Sequence, residues 1–274
     1  MGVLDGKAVV VTGAGRGLGR AFALHAANSG AAVVVNDIDE VESVVAEIEA
    51  FGGRTVAGRA DVTDPDQVRA LIDLCVTEFG AIDGLVNNAG LRHMAPPWEE
   101  TPEAIRALIE VNVIGAMYCG TVAAQAMHAQ RSGAIVNIGS LAMLGQRTTG
   151  TYSASKGAIA SMTVSWAVDL EPFGVRVNAL CPLAWTRMAV ADPLARTNPA
   201  DTPDKMAPMV TFLLSDLAAG VTGQIIRFAD TLHIVQQPAR KPPVLTRDRW
   251  EVTDIAAAFE SLSLEAFPGV RWPL

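Results

Sequence analysis

The chain has 274 residues, of which 50% are hydrophobic and 18% charged, with 21 Lys and Arg set against 29 Asp and Glu for a net charge of −8. That hydrophobicity excludes a disordered chain, and the length allows one large core or two domains. The acidic balance speaks against a phosphate backbone or an anionic membrane surface as a partner.

Short β-branched runs alternate with helical patterns along the chain. Strands are predicted over Ala8–Thr12, Ala32–Asn36, Arg54–Arg59, Gly84–Asn87, Ala134–Ile138, Val175–Leu180 and Gly223–Phe228. Helices are predicted between them, among others over Arg20–Ser29, Val41–Phe51 and Pro65–Phe79. Runs that are apolar throughout suit strands buried on both faces, and strand–helix alternation implies a parallel sheet with right-handed crossovers. The expected fold is therefore α/β: a single doubly wound, Rossmann-type parallel sheet with helices on both faces and a C-terminal extension. The alternation continues to about residue 228, so residues 1–235 are expected to form one dinucleotide-binding and catalytic domain. Asp192 to Pro208 carries four prolines and reads as an irregular insertion of the kind that forms lids.

Residues 236–274 are the extension. Gln236 to Pro243 reads as a Pro-rich linker. Beyond it Thr253 is expected to cap a helix over Asp254–Ser261. The tail's large apolar residues (Trp250, Ile255, Phe259, Leu262, Phe267, Trp272) are too many to leave in water, yet the segment is too short for its own core. It is expected to dock on the same or a neighbouring subunit.

Three widely spaced cysteines (Cys75, Cys119, Cys181) read as reduced core residues, and four histidines show no ligand spacing, so no metal is expected. Met1 to Lys7 lacks a signal-peptide stretch, and no apolar run approaches membrane-spanning length. The expectation is a cytoplasmic protein.

The first strand ends in Thr12-Gly13-Ala14-Gly15-Arg16-Gly17-Leu18-Gly19, and a helix follows. Glycines permit a tight turn and let a pyrophosphate approach backbone N–H groups at a helix N-terminus. Asp37 closes the second strand, 18 residues after Gly19, where a ribose-reading acid is expected. Its carboxylate accepts ribose hydroxyls and repels a 2′-phosphate, which predicts NAD. Arg16 pulls toward NADP, because a guanidinium pairs with phosphate. Tyr152 and Lys156 are four residues apart, so one helix places both on one face. A tyrosine titrates near 10, and an adjacent ammonium favours its phenolate, bringing it nearer the pH at which a general base works best. Asn112 interrupts an apolar helix, where Asn is unfavourable without a reason. The Ser140 hydroxyl, after the fifth strand, can donate to or accept from a substrate oxygen.

Along residues 4–235 the chain resembles the short-chain dehydrogenase/reductase family. The resemblance rests on the glycine pattern Gly13/Gly17/Gly19, Asp61-Val62, Asn87-Asn88-Ala89-Gly90, Asn112, Ser140 and Tyr152-Ser153-Ala154-Ser155-Lys156. It implies adenine contacts at Asp61 and Val62, and cofactor contacts at Leu18, at Asn88 to Gly90 and at Thr186. It also implies that Lys156 binds the nicotinamide ribose, that Asn112 distorts its helix and holds a water, and that Ser140 orients the substrate. Leu183 departs from the glycine that relatives carry after Pro182, and Thr186 comes one residue early. Pro182-Leu183-Ala184-Trp185-Thr186-Arg187-Met188 looks like the hydroxyacyl-CoA and hydroxysteroid dehydrogenase branch.

The reading is an NAD-dependent oxidoreductase acting on a small apolar secondary alcohol or ketone, such as a hydroxyacyl thioester or a steroid. Two alternatives are an NADPH-dependent 3-oxoacyl thioester reductase, which Asp37 opposes, and a non-catalytic NAD-binding regulator, which the complete Asn112/Ser140/Tyr152/Lys156 set opposes. The helices around Asn112–Met127 and Ser153–Leu170 are apolar on most sides, which needs more than one burying surface. With the family's habit this predicts a homotetramer.

Overall fold

The computed structural model describes residues 2–190, 198–229, 231–235 and 252–261. Its strands are β1 (Ala8–Val11), β2 (Ala32–Asp37), β3 (Arg54–Arg59), β4 (Gly84–Asn87), β5 (Gly133–Ile138), β6 (Val175–Pro182), β7 (Ile225–Phe228) and β8 (Leu232–Ile234). Its helices are α1 (Gly17–Asn28), α2 (Glu42–Ala50), α3 (Pro65–Phe79), α4 (Pro102–Ile109), α5 (Ala116–Gln130), α6 (Gly150–Leu170), α7 (Arg187–Val190), α8 (Ala207–Leu214) and α9 (Val252–Ser261).

One sheet runs in the order β3-β2-β1-β4-β5-β6-β7-β8. The strand order reverses between β1 and β4, which leaves a crevice beyond their C-terminal ends. Valines alternate across the sheet: Val9, Val11, Val33 and Val35 pack with Phe22 of α1 and Leu213 of α8. Val10 and Val34 pack on the other face with Leu71 and Ile72 of α3 and with Cys119, Ala123 and Met127 of α5. The period of two along each strand thus builds two cores, one on each side of a single doubly wound sheet.

Element ends follow local chemistry. Asp64 accepts the N–H groups of Asp66 and Gln67 at the start of α3, Pro65 follows it, and Gly80 at φ 88° closes the helix. These are the cap, first-turn proline and left-handed glycine that a helix boundary favours. The three cysteines are buried and unpaired by disulfides. Burial pushes the thiols of Cys75 and Cys119 up to about 12 and that of Cys181 up to about 11.

Four expectations need correction. The sheet is mixed rather than wholly parallel, because β8 pairs antiparallel with β7 after a tight turn in which Ala229 N donates to Thr231 O (3.2 Å). Three residues at an edge carry too little pattern to announce a strand. Pro208 lies inside the first turn of α8 rather than in the irregular insertion, since a proline there sacrifices no hydrogen bond. Thr253 lies within α9, which starts at Val252, and so does not precede it as a cap. Finally, α4, a π-helical stretch (Glu110–Gly115) and α5 run on as one helical stretch, Pro102–Gln130, long and apolar enough to cross a membrane, with a mean hydropathy of 1.5 over 18 residues. Here its apolar side chains serve the core, as Cys119, Ala123 and Met127 show.

By contacts the chain forms two units, Met1–Val235 and Gln236–Leu274. Of the tail's apolar residues, Trp250, Leu262, Phe267 and Trp272 lie outside the described residues, as do the linker Gln236 to Pro243 and residues 191–197 of the insertion.

The α5–α6 packing is tight at one glycine. A Cβ on Gly120 would stand 2.2 Å from the Trp166 ring. Gly120→Ala should therefore cost about 1–3 kcal/mol through overpacking, read as a lower urea midpoint at unchanged slope. An unchanged midpoint would show that the indole swings aside freely.

Candidate active site

The C-terminal ends of β1 and β4 are clasped by one threonine. Thr12 Oγ1 donates to Val86 O (3.2 Å) and accepts the N–H groups of Asn88 (3.0 Å) and Ala89 (3.1 Å). Asn88 answers by donating Nδ2 to the carbonyls of Thr12 and Gly13, both at 2.9 Å. The turn into α1 needs its glycines at two places. Gly13 sits at φ 62°, and a Cβ on Gly19 would stand 2.1 Å from Gly13 O and 2.5 Å from Asn88 Nδ2. Gly90 lies one turn further along, with its Cβ direction 3.3 Å from Asn112 Oδ1.

Gly17 and Leu18 open α1. Gly17 is exposed at φ 57°, with nothing within 4 Å of where a Cβ would be. No side chain caps this end, and no acidic residue lies in the first turn. An uncapped, positively polarised helix end facing open space fits a pyrophosphate. Asp37 lies across the same turn: its Oδ2 accepts Gly15 N (3.0 Å), while Oδ1 accepts Ile38 N (2.9 Å) and Asp39 N (3.2 Å). Its carboxylate is thereby fixed at the end of β2. Arg16 pairs with Asp39 at 3.1 Å on the surface. Asp61, beyond β3, holds Thr63 N and Oγ1 at 2.8 Å each. Val62 is buried, and a Cβ on Gly115 would strike it at 2.7 Å. These residues gather at the C-terminal ends of β1, β2, β3 and β4, and their donors and open glycines suit a dinucleotide.

On the other side of the crevice the α6 residues converge. Lys156 is buried, with Nζ donating to Ile138 O at 2.7 Å, so the ammonium reaches the end of β5. Burial pulls its pKa from 10.5 to about 8, although Cys181 nearby acts in the opposite sense. Nζ lies 5.8 Å from the centre of the Tyr152 ring. Tyr152 packs against Leu108 and Ala142. Ala142 belongs to the 3-10 turn Leu141–Leu144, and Ser140 caps that turn by accepting Ala142 N at 3.2 Å.

Asn112 lies in the π-helical stretch Glu110–Gly115, 1% exposed. The helix is thus locally distorted at the expected asparagine. Its Oδ1 accepts Leu91 N (2.7 Å), and its Nδ2 donates to Leu91 O (2.9 Å) and Ser155 Oγ (3.1 Å). Ser155 in turn donates to Tyr152 O (2.8 Å). One amide therefore joins the loop after β4 to the helix that carries Tyr152.

The loop after β6 holds Thr186 half-buried, with its carbonyl accepting Val190 N (2.8 Å) at the start of α7. Leu183 takes the place of the family's glycine without strain. Among the described residues only Arg131 and Thr148 are non-glycines with positive φ, and Leu183 N donates to Phe228 O (3.2 Å).

Three features escaped the sequence reading. Asn137 joins Asn87 (2.9 Å) and Thr163 (2.9 Å) in a buried chain beneath the site, and its signal was a polar residue in an apolar strand. Glu100 accepts Thr151 Oγ1 (2.9 Å) and lies 3.5 Å from His93. Arg92 places its guanidinium carbon 5.4 Å from the Tyr152 ring centre. Neither Glu100 nor Arg92 stands in any motif, so only the folded chain brings them to the site.

Comparison with known proteins agrees with this geometry. Residues 7–194 match the family model described as short chain dehydrogenase. The cis-4-hydroxycyclohexanecarboxylate dehydrogenase of Sinomonas cyclohexanicum is 39% identical over 239 residues, covering 80% of this chain and 94% of that protein. A short chain dehydrogenase from Mycobacterium avium superposes with a TM-score of 0.90 at 35% identity, covering 98% of each chain. A gluconate 5-dehydrogenase from Burkholderia cenocepacia, solved with NADP and tartrate, gives 0.76 at 32% identity over 82% of this chain and 94% of that one. The chain belongs to the short-chain dehydrogenase/reductase family of oxidoreductases, whose members bind a nicotinamide dinucleotide.

The buried ammonium has a pH signature. Below about pH 8 Lys156 is charged in both folded and unfolded chains, so the full cost of burying it is present. As pH rises through 8 toward 10.5 the folded form loses the charge first, and the cost disappears. Lys156→Met should therefore gain stability over wild type below pH 8, with the gap closing by about pH 10.5. Urea denaturation of both proteins without cofactor checks this, and a gap constant with pH would contradict it.

Proposed function

We propose that the protein is an NAD-dependent dehydrogenase that interconverts a secondary alcohol and its ketone, with Tyr152 as the proton carrier. The observation that carries this reading is the buried Lys156 ammonium, tied to Ile138 O and set 5.8 Å from the Tyr152 ring. A cation fixed there stabilises the phenolate, which then takes the proton of an alcohol oxygen. Ser140 donates to the same oxygen. Lys156 would also bind the nicotinamide ribose, and Asn112 would support a water through which the proton could leave. A nicotinamide bound at this site would supply the hydride acceptor for the carbinol carbon. Gly13, Gly17, Leu18 and Gly19 would hold the pyrophosphate, Asp61 and Val62 would border adenine, Asn88 to Gly90 would pack beside the cofactor, and Thr186 would meet its nicotinamide end.

NAD is favoured over NADP by Asp37, whose carboxylate is fixed by three backbone N–H groups. The opposing pull of Arg16 is drawn off by Asp39. The NADP in the Burkholderia enzyme shows that relatives of this fold accept the phosphate, which makes Asp37 the deciding residue here. For the substrate, the 3-10 turn Leu141-Ala142-Met143-Leu144 offers an apolar wall beside Tyr152. A hydroxyl on an apolar ring fits that wall, as the name of the Sinomonas relative suggests. A hydroxyacyl thioester or a steroid fits the same chemistry. A homotetramer is supported by the exposed edge strand β8, where Leu232 and Ile234 are 53% and 51% exposed, and light scattering would return 28.8 kDa if the chain were monomeric.

Two variants test the reading. Tyr152→Phe removes one hydroxyl, so NAD affinity should persist while kcat/KM falls at least about a hundredfold. Near wild-type turnover would remove Tyr152 from the chemistry. Asp37→Ala should raise kcat/KM with NADP relative to NAD, and a wild type that already prefers NADP would refute the assignment of Asp37.

A further inference from the structure

A second cation beside Tyr152 is the feature that the family pattern leaves unexplained. Arg92 lies in the loop after β4, with its guanidinium carbon 5.4 Å from the centre of the Tyr152 ring. Lys156 approaches the same ring from within α6 at 5.8 Å. Two elements distant in the chain thus bring two cations to one phenol.

We infer that Arg92 is a positioning residue that holds the Tyr152 phenolate through its permanent positive charge. This rests on Tyr152 being the proton carrier, and adds the group that sets the pH range over which it works. Arg92 is bracketed by anchors. One residue before it, both backbone groups of Leu91 are hydrogen-bonded to the Asn112 side chain, at 2.7 and 2.9 Å. Three residues after it, Ala95 N donates to Thr148 O (2.8 Å), and Ala95 bridges Thr149 just before α6 begins. The segment carrying Arg92 is therefore pinned at one end to the π-helical turn and at the other to the entry of the helix that carries Tyr152. Asn112 acquires a second task, that of fixing the loop from which Arg92 projects.

The division of labour follows from chemistry. A guanidinium stays charged at every pH at which a protein is folded. The buried Lys156 ammonium is half neutral near pH 8, so its hold on the phenolate weakens in the alkaline range. A neighbouring cation favours the ionised form of an acid, and the charge of Arg92, 5.4 Å from the ring centre, does not fade as pH rises. Among the described residues, Leu108 from α4 and Ala142 from the 3-10 turn pack on the ring with apolar groups. Among the described residues, the loop that carries Arg92 also brings up His93 and Glu100, 3.5 Å apart, with Glu100 accepting from Thr151.

The chain has two tyrosines, Tyr118 and Tyr152, which makes the phenol directly observable. In a Tyr118→Phe background without cofactor, tyrosinate absorbance titrates Tyr152 alone, and Tyr118→Phe/Tyr152→Phe supplies the blank. Arg92→Met should raise the Tyr152 midpoint by about one unit and move the acid limb of the kcat/KM profile by the same amount. Arg92→Lys keeps the charge and should keep the midpoint near that of the parent, which separates charge from loss of fold. A Tyr152 midpoint unmoved in a folded Arg92→Met protein would overturn the inference. So would a loss confined to KM for carboxylate-bearing alcohols, which would make Arg92 a reader of substrate charge. If Tyr152→Phe is inactive yet the midpoint ignores Arg92, only this inference falls. If Tyr152→Phe turns over normally, the reading beneath it falls as well.

Discussion

A buried ammonium is the constraint to which the rest of the site answers. Removing a charged lysine from water is costly unless hydrogen bonds and neighbouring polar groups compensate. Here the ammonium of Lys156 meets the carbonyl of Ile138, the last residue of β5. That carbonyl is available because the strand ends there, at the C-terminal edge of the sheet. Helix α6 must then lie across this edge, with Tyr152 one turn before Lys156. The 3-10 turn follows Ser140 for the same reason: the chain leaving β5 has to fold back beside α6, and Ala142 closes on the Tyr152 ring.

The sheet topology supplies the other half of the site. With β1 and β4 adjacent, the chain departs to opposite sides from their C-terminal ends. Thr12 prevents these ends from splaying by binding two N–H groups of the next strand's turn. Asn88 binds back to Gly13, and Gly19 is confined to a position no side chain could share. The same packing that stabilises the switch point thus leaves the α1 terminus uncapped and facing the crevice. In the proposed reading, cofactor cradle and proton chemistry are two consequences of one edge, joined through Asn112, which binds the loop after β4 on one side and Ser155 of α6 on the other.

Much of this was legible in the sequence because it depends on residues with few uses. Gly19 has no substitute where a Cβ would meet a carbonyl at 2.1 Å, and Asn112 in an apolar helix announces the distortion it occupies. Strands β3 and β4 end where their polar flanks predict, and α3 carries its cap and its terminating glycine in plain view. What escaped depends on tertiary neighbours. β8 exists because β7 offers an edge, which its three residues cannot reveal. Pro208 and Thr253 sit at helix ends, where residue type suits a place on either side of the boundary. Arg92 belongs to no motif and matters through its distance to a ring sixty residues away. The helical stretch Pro102–Gln130 has the hydropathy of a membrane helix, and only the sheet packed against it distinguishes the two uses.

The central claim is that this edge carries a hydride and a proton from one alcohol to separate acceptors. The direct measurement is isotope transfer: cis-4-hydroxycyclohexanecarboxylate deuterated at the carbinol carbon is incubated with the protein and NAD, and the reduced cofactor is analysed by NMR. The account predicts deuterium at C4 of the nicotinamide, on a single face, together with a slower rate than for the unlabelled alcohol, and with longer-chain or polycyclic secondary alcohols giving the same label if the first is a poor substrate. Reduced cofactor without label, or no reduction of NAD or NADP by any secondary alcohol under conditions where the protein binds NAD, would contradict it.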